Sequence, residues 1–134
     1  MILDSSVIVA VLRAEPEARE FSRAISSAAC RISAANYLEA AIVIDSSRSA
    51  ISSRRFDDFF RASRIAVEAV TPRQAEIARD AYRDFGKGRH KAGLNFGDCF
   101  AYALAKEMDE PLLFKGNDFR HTDIETAKSG AAKR

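Results

Sequence analysis

Short apolar runs alternate along the chain with longer helical patterns, and no two runs are joined by a tight-turn signal. Met1-Ile2-Leu3 opens the chain as a buried strand, and Pro111-Leu112-Leu113-Phe114 is a similar run near the other end. Arg31-Ile32-Ser33 and residues 65–70 read as two further strands. Strands separated by whole helices pair in parallel, because a parallel connection needs a crossover of a dozen or more residues. The expected fold class is therefore α/β, with a mostly parallel central sheet flanked by helices.

The helix signals are specific. Ser5-Ser6 offers caps for a helix over residues 7–13, and Pro16 suits the first turn of a second helix. In that second helix Ala18, Phe21, Ile25 and Ala28 recur at helical spacing. Residues 34–46, capped by Ser33, form a helix that is apolar on nearly every side. Residues 48–63 read as an amphipathic surface helix with Phe56, Phe59 and Phe60 on one side. Thr71-Pro72-Arg73-Gln74 is a capping box with proline at the first helical position, and Gly86 supplies the stop. Residues 86–97 hold four of the six glycines and a basic cluster, and are expected to form a mobile loop. Asp98 is expected to begin the next helix, and residues 126–134 to fray as a flexible tail after a domain spanning 1–125.

Composition narrows the class. A chain of 134 residues fits one domain with its own core. Lys plus Arg number 21 against 19 Asp plus Glu, which excludes a histone-like polycation. The longest aliphatic run, residues 7–12, is far short of the roughly 20 residues of a membrane span. The start carries no basic leader, so a cytoplasmic protein is expected. Cys30 and Cys99 read as buried free thiols. With only His90 and His121 beside them, they make no zinc set.

Four carboxylates stand out. Asp4 and Asp118 follow apolar strands at the end that faces the ligand crevice of an open parallel sheet. Glu39 sits mid-helix among Tyr37, Leu38, Ala40, Ala41, Ile42, Val43 and Ile44, and Asp98 precedes Cys-Phe-Ala-Tyr-Ala-Leu-Ala. Taken singly, the aspartates read equally well as caps or turn residues, and Glu39 as an arginine's partner. Taken together at one crevice, they would repel by about 4 kcal/mol per pair at about 4 Å and an effective dielectric of about 20. A cluster of that kind needs protons or a cation. Oxygen ligands without histidine or thiolate select Mg²⁺ or Mn²⁺, which serve phosphoryl chemistry. Lys87, Arg89, His90 and Lys91, in the loop just before Asp98, are candidates to hold a polyanionic backbone such as RNA.

These residues carry a resemblance. Met-Ile-Leu-Asp-Ser-Ser at 1–6, Ser-Ala-Ala-Asn-Tyr-Leu-Glu-Ala at 33–40, Asn-Phe-Gly-Asp-Cys-Phe-Ala-Tyr-Ala-Leu-Ala at 95–105 and Leu-Leu-Phe-Lys-Gly-Asn-Asp-Phe at 112–119 resemble the signature segments of PIN-domain ribonucleases. The chain is most similar to the VapC toxins of bacterial type II toxin–antitoxin systems. The resemblance implies a PIN-like three-layer sandwich and a Mg²⁺-dependent endoribonuclease (Mn²⁺ being the alternative ion). It makes Asp4, Glu39, Asp98 and Asp118 the acidic quartet that holds the ion and orients the attacking water, with Asp4 and Asp98 as direct ligands. Ser6 matches the hydroxyl that braces the site. The implied partners are structured RNA, a second copy in a homodimer, and a VapB-type antitoxin covering the active-site groove. Residues 48–63 are expected to help form that groove through exposed aromatics. Many relatives carry a second acid where this chain has Asn117, so Asp123 is a second candidate for the fourth acid.

Other readings fit less well. A phosphatase of the haloacid dehalogenase type needs an aspartate two residues after the first, where this chain has Ser6. A receiver domain needs paired acids near the first strand. From another class, a non-catalytic RNA- or protein-binding module would carry these acids as structural groups.

Overall fold

The computed structural model describes residues 1–127, in which strands and helices follow one another as the apolar pattern requires. The order is β1 (Ile2–Leu3), α1 (Ser5–Leu12), α2 (Ala18–Ser27), β2 (Arg31–Ser33), α3 (Ala34–Asp45), α4 (Ala50–Ser63), β3 (Ala66–Glu68), α5 (Pro72–Phe85), α6 (Phe96–Met108) and β4 (Leu112–Leu113), with a 3₁₀ turn at Asp118–His121. The strands form one sheet in the order β3-β2-β1-β4, every pairing parallel. Ile2 pairs with Arg31 on one side and Leu112 on the other, so the strand bearing Asp4 is central.

Successive residues of a strand face opposite sides, and here they feed two cores. Ile2 and Leu112 join Leu94, Tyr102, Leu104 and Phe119 beneath α5 and α6. Leu3, Ile32 and Leu113 join Val7, Ile8, Phe21, Ile25, Ile44 and Phe56 beneath α1 to α4. The result is the expected three-layer α/β sandwich. Cys30 and Cys99 are free and buried, as read from the sequence. Among the described residues no helix is long and apolar enough to cross a membrane.

Several local expectations are corrected. Asp4 rather than Ser5 or Ser6 caps α1, and α2 starts at Ala18, after Pro16. Phe56, Phe59 and Phe60 are not an exposed aromatic face. Tyr37 meets Phe56 and Phe60 at ring-centroid distances of 5.3 and 4.8 Å and draws α4 into the core. The glycine-rich loop is pinned rather than free: Lys87 N donates to Leu94 O at 2.8 Å and Leu94 N to Phe85 O at 2.9 Å, with Leu94 fully buried. Residues 126 and 127 lie alongside β4, where Ala127 N donates to Leu112 O at 2.8 Å. The remainder of the expected tail, from residue 128, lies outside the described residues.

Candidate active site

Asp4 occupies the C-terminal end of the central strand, where the chain turns directly into α1. Its Oδ2 accepts from Ser6 N at 3.1 Å, satisfying one of the free amides of the helix start. Its Oδ1 is buried and has no hydrogen-bond partner among the described residues. Burial pushes the Asp4 carboxyl upward, the Ser6 hydrogen bonds pull it down, and the Glu39 charge raises it again. Ser6 Oγ also accepts from Lys115 N at 3.0 Å, which ties this corner to the segment after β4.

Glu39 arrives on α3, which begins without a gap after β2. Among the described residues no arginine pairs with it. Instead Oε1 accepts from Ser5 Oγ at 2.6 Å and from Asn36 Nδ2 at 3.1 Å. Asn36 is fully buried and donates again, to Gly97 O at 2.9 Å, so one amide joins α3 to the start of α6. Gly97 has no room for a side chain: a Cβ there would lie 2.7 Å from Glu39 Cδ.

Asp98 is the third residue of α6, not its first. Asn95 is the cap: Asp98 N donates to Asn95 Oδ1 at 2.9 Å, and Asn95 N donates back to Asp98 Oδ2 at 3.0 Å. That closed box fixes the carboxylate and leaves Oδ1 outside it. Burial is the main cause that pushes the Asp98 carboxyl up to about 7; the Asn95 amide opposes it, and the charges of Asp4, Asp118 and Glu39 add to it. Asp98 thus feels all three other acids, which places the four in one neighbourhood. The next residue, Cys99, has its thiol pushed up to about 11 by burial and by Asp98. It stays protonated at neutral pH and offers no thiolate.

Asp118 begins the 3₁₀ turn beyond β4 and is exposed, and Asn117 precedes it without a side-chain capping bond. Asp123 is engaged elsewhere. It accepts from Tyr102 Oη at 2.5 Å and from Lys106 Nζ at 2.7 Å, one and two turns along α6 from Asp98. Among the described residues none of Asp4, Glu39, Asp98 and Asp118 pairs with a lysine or arginine. Equally, among the described residues no three His, Cys, Asp or Glu side chains are drawn into a metal-holding group. The neighbourhood is acidic and uncompensated, but not a closed ligand set.

Lys87, Arg89 and Lys91 are all exposed on the loop before α6. Lys87 borders a groove that also contains Asn95 and Phe96. Arg89 lies over the Tyr82 ring, 5.9 Å from its centroid. His90 is committed to the loop itself, its Nδ1 accepting from Ala92 N at 3.0 Å.

The site also uses Ser5, Asn36, Asn95 and Gly97, which the sequence reading did not assign to it. The Asn95–Asp98 spacing is that of a capping box and was legible. Ser5 was visible only as a cap, and Gly97 carried no signal of its own.

Comparison with known proteins gives the family and the fold. The family model described as PIN domain matches residues 1–125. Ribonuclease VapC28 of Mycobacterium tuberculosis is 52% identical over 129 residues, covering 95% of this chain and 97% of the relative. Ribonuclease VapC of Mycolicibacterium smegmatis is 49% identical over 125 residues, covering 92% and 97%. Among solved structures, the crystal structure of Mycobacterium tuberculosis VapC20, described as a Sarcin-Ricin loop cleaving toxin, superposes with TM-score 0.76 at 15% identity, covering 94% of this chain and 97% of that one. A toxin–antitoxin complex from Klebsiella pneumoniae gives 0.69 at 14% identity, covering 91% and 92%.

Proposed function

The chain belongs to the PIN-domain family, among the VapC ribonucleases, and from that premise we propose that it is a metal-dependent endoribonuclease acting as the toxin of a toxin–antitoxin pair. The observation that carries the metal dependence is Asp4 Oδ1, a buried carboxylate oxygen without a partner beside a second carboxyl raised to about 7. Such oxygens are costly unless a proton or a cation meets them. The donors are all oxygen, which suits Mg²⁺ or Mn²⁺, and Asp4 and Asp98 would hold the ion. A bound ion of that type neutralises charge building on a phosphoryl group and makes water a better nucleophile.

The chain's own groups supply the positioning. Glu39 is anchored through Oε1, while Oε2 carries no hydrogen bond among the described residues and is available to hold a proton of the attacking water. Asp118, the fourth acid, stands on the exposed rim where RNA would enter. Ser6 keeps that rim in register with Asp4 through Lys115 N. Lys87, Arg89 and Lys91 supply cations for the backbone phosphates.

A VapB-type antitoxin and a homodimer belong to the same proposal. Leu38 and Ile42, 57% and 59% exposed on the helix that carries Glu39, support a partner segment there. Free buried thiols support a reducing cytoplasm.

The competing reading, a non-catalytic binding module, draws on the absence of a closed ligand group among the described residues. Incubating the purified chain with total RNA, with Mg²⁺ or with chelator, beside Asp98→Asn, separates the two. Metal-dependent cleavage lost in the variant is expected. Equal cleavage by both proteins, or none by either, would favour the binding module.

A further inference from the structure

Phe96, the first residue of α6, is 79% exposed although it is two residues from Asp98. Its ring meets Phe100 edge-on, with centroids 4.9 Å apart and planes at 83°. The two rings line a groove of about 560 Å³ between α5 and α6, together with Ala75, Ala78, Cys99, Tyr82, Arg79 and Lys87. That volume suits a small organic ligand rather than a single side chain.

The charges around the groove identify its occupant. On α5, Glu76 pairs with Arg73 at 3.2 Å and Asp80 pairs with Arg83 at 3.0 Å. Those pairs use up the acids beside Arg79. Among the described residues Arg79 and the Lys87 ammonium have no acidic partner. An apolar slot with an exposed aromatic ring and unpaired cations at its rim matches a flat π-system attached to phosphates.

We infer that this groove receives one unstacked nucleobase of the RNA, lying on Phe96 beside the acidic site, with Arg79 and Lys87 on the flanking phosphates. The inference rests on the ribonuclease reading and gives that site a base-reading subsite. Aromatic stacking tolerates any base, and the shape of the slot then sets the preference. Phe96 acts as a positioning residue: it fixes which phosphodiester reaches Asp98.

The test uses the full chain carrying Asp98→Asn, without divalent ions, and fluorescein-labelled single-stranded decamers of oligo-A, oligo-U or oligo-C. A decamer of abasic tetrahydrofuran phosphates serves as the baseless control. Adding Phe96→Ala is expected to weaken binding of at least one base-bearing decamer by roughly 5- to 150-fold, the usual worth of one base–aromatic stack. Phe96→Trp is expected to restore it, and the abasic decamer to bind both proteins equally. Because Phe96 is exposed, its removal leaves the core intact, and a melting curve verifies that. Unchanged affinity, or an equal loss on the abasic chain, overturns the subsite. So does a shift from dimer to monomer in sedimentation with decamer affinity unchanged, which would assign the face to a second copy. Failure of the wild-type chain to cleave total RNA instead sinks the ribonuclease reading, and is read in a separate assay.

Discussion

The Glu39 carboxylate lies against the backbone of Gly97, in the space that a side chain at that position would fill. The contact joins two segments 58 positions apart and makes the smallest residue a requirement of the acid's placement (97 − 39 = 58).

Gly97→Ala therefore separates folding from catalysis. The obstacle is the end of a flexible side chain, so Glu39 moves rather than the backbone, and alanine gains up to about 1 kcal/mol of helix propensity. The expected melting temperature is within a few degrees of wild type. Cleavage is expected to fall on the order of a hundredfold, since a displacement of about 1 Å in a positioned group can cost that much. Parallel melting curves and kcat/KM on one RNA check both halves. Full activity would detach Glu39 from the reaction.

The metal-free chain should lose stability as pH rises. Asp98 carries its proton up to about 7 when folded, against 3.8 when exposed. Between those values the folded state binds more protons than the unfolded state, so unfolding becomes easier with increasing pH. The full shift is worth about 4 kcal/mol, and partial exposure reduces it to about 1–2. Asp98→Asn is expected to melt several degrees above wild type at pH 8 in chelator and to match it near pH 4. Added Mg²⁺ should narrow the gap by stabilising wild type. Calorimetry across pH checks this, and a lower melting point for the variant at pH 8 would make the carboxylate structural.

Asn36 is needed for its amide, which donates to both Glu39 and Gly97. Asn36→Ala leaves Gly97 O without its donor and costs about 1–3 kcal/mol. Asn36→Asp is expected to cost more at neutral pH, because it sets a carboxylate against Glu39 Oε1. Acidification should recover part of that loss. Urea midpoints at pH 5 and pH 8 give the comparison.

Asp118 and Asp123 should part company. Asp118→Asn is expected to reduce cleavage at least tenfold, and Asp123→Asn much less. Burial alone would raise the Asp123 carboxyl, but hydrogen bonds from Lys106 and Tyr102 outweigh it and hold the carboxyl below its ordinary 3.8. Its stabilising effect is present above about pH 4 and disappears as pH falls through the lowered value. Asp123→Asn should thus destabilise the protein by under about 1 kcal/mol at pH 7, given its exposure, and by progressively less as pH falls below about 4. Rates and melts on both variants decide.

The layers, the parallel sheet and the candidate acids were legible because each rests on a local pattern: period, cap, strand end. Asp4 shows the limit. Its cap and its place in the acidic cluster are two uses of one carboxylate, with Oδ2 serving the helix and Oδ1 left over. Glu39 was legible as anomalous, but its donors were not, since Ser5 is 34 positions away. Residues 48–63 were misread for a related reason. Their phenylalanines look exposed until Tyr37, from another helix, closes over them. The glycine-rich loop reads as mobile in composition, yet one buried leucine, Leu94, and its backbone bonds anchor it.

The members of the acidic neighbourhood sit at positions 4, 39, 98 and 118, and the last belongs to the turn beyond the edge strand. No amino-terminal fragment that stops short of residue 118 holds the whole quartet, so a chain cut off before that turn is an incomplete blade.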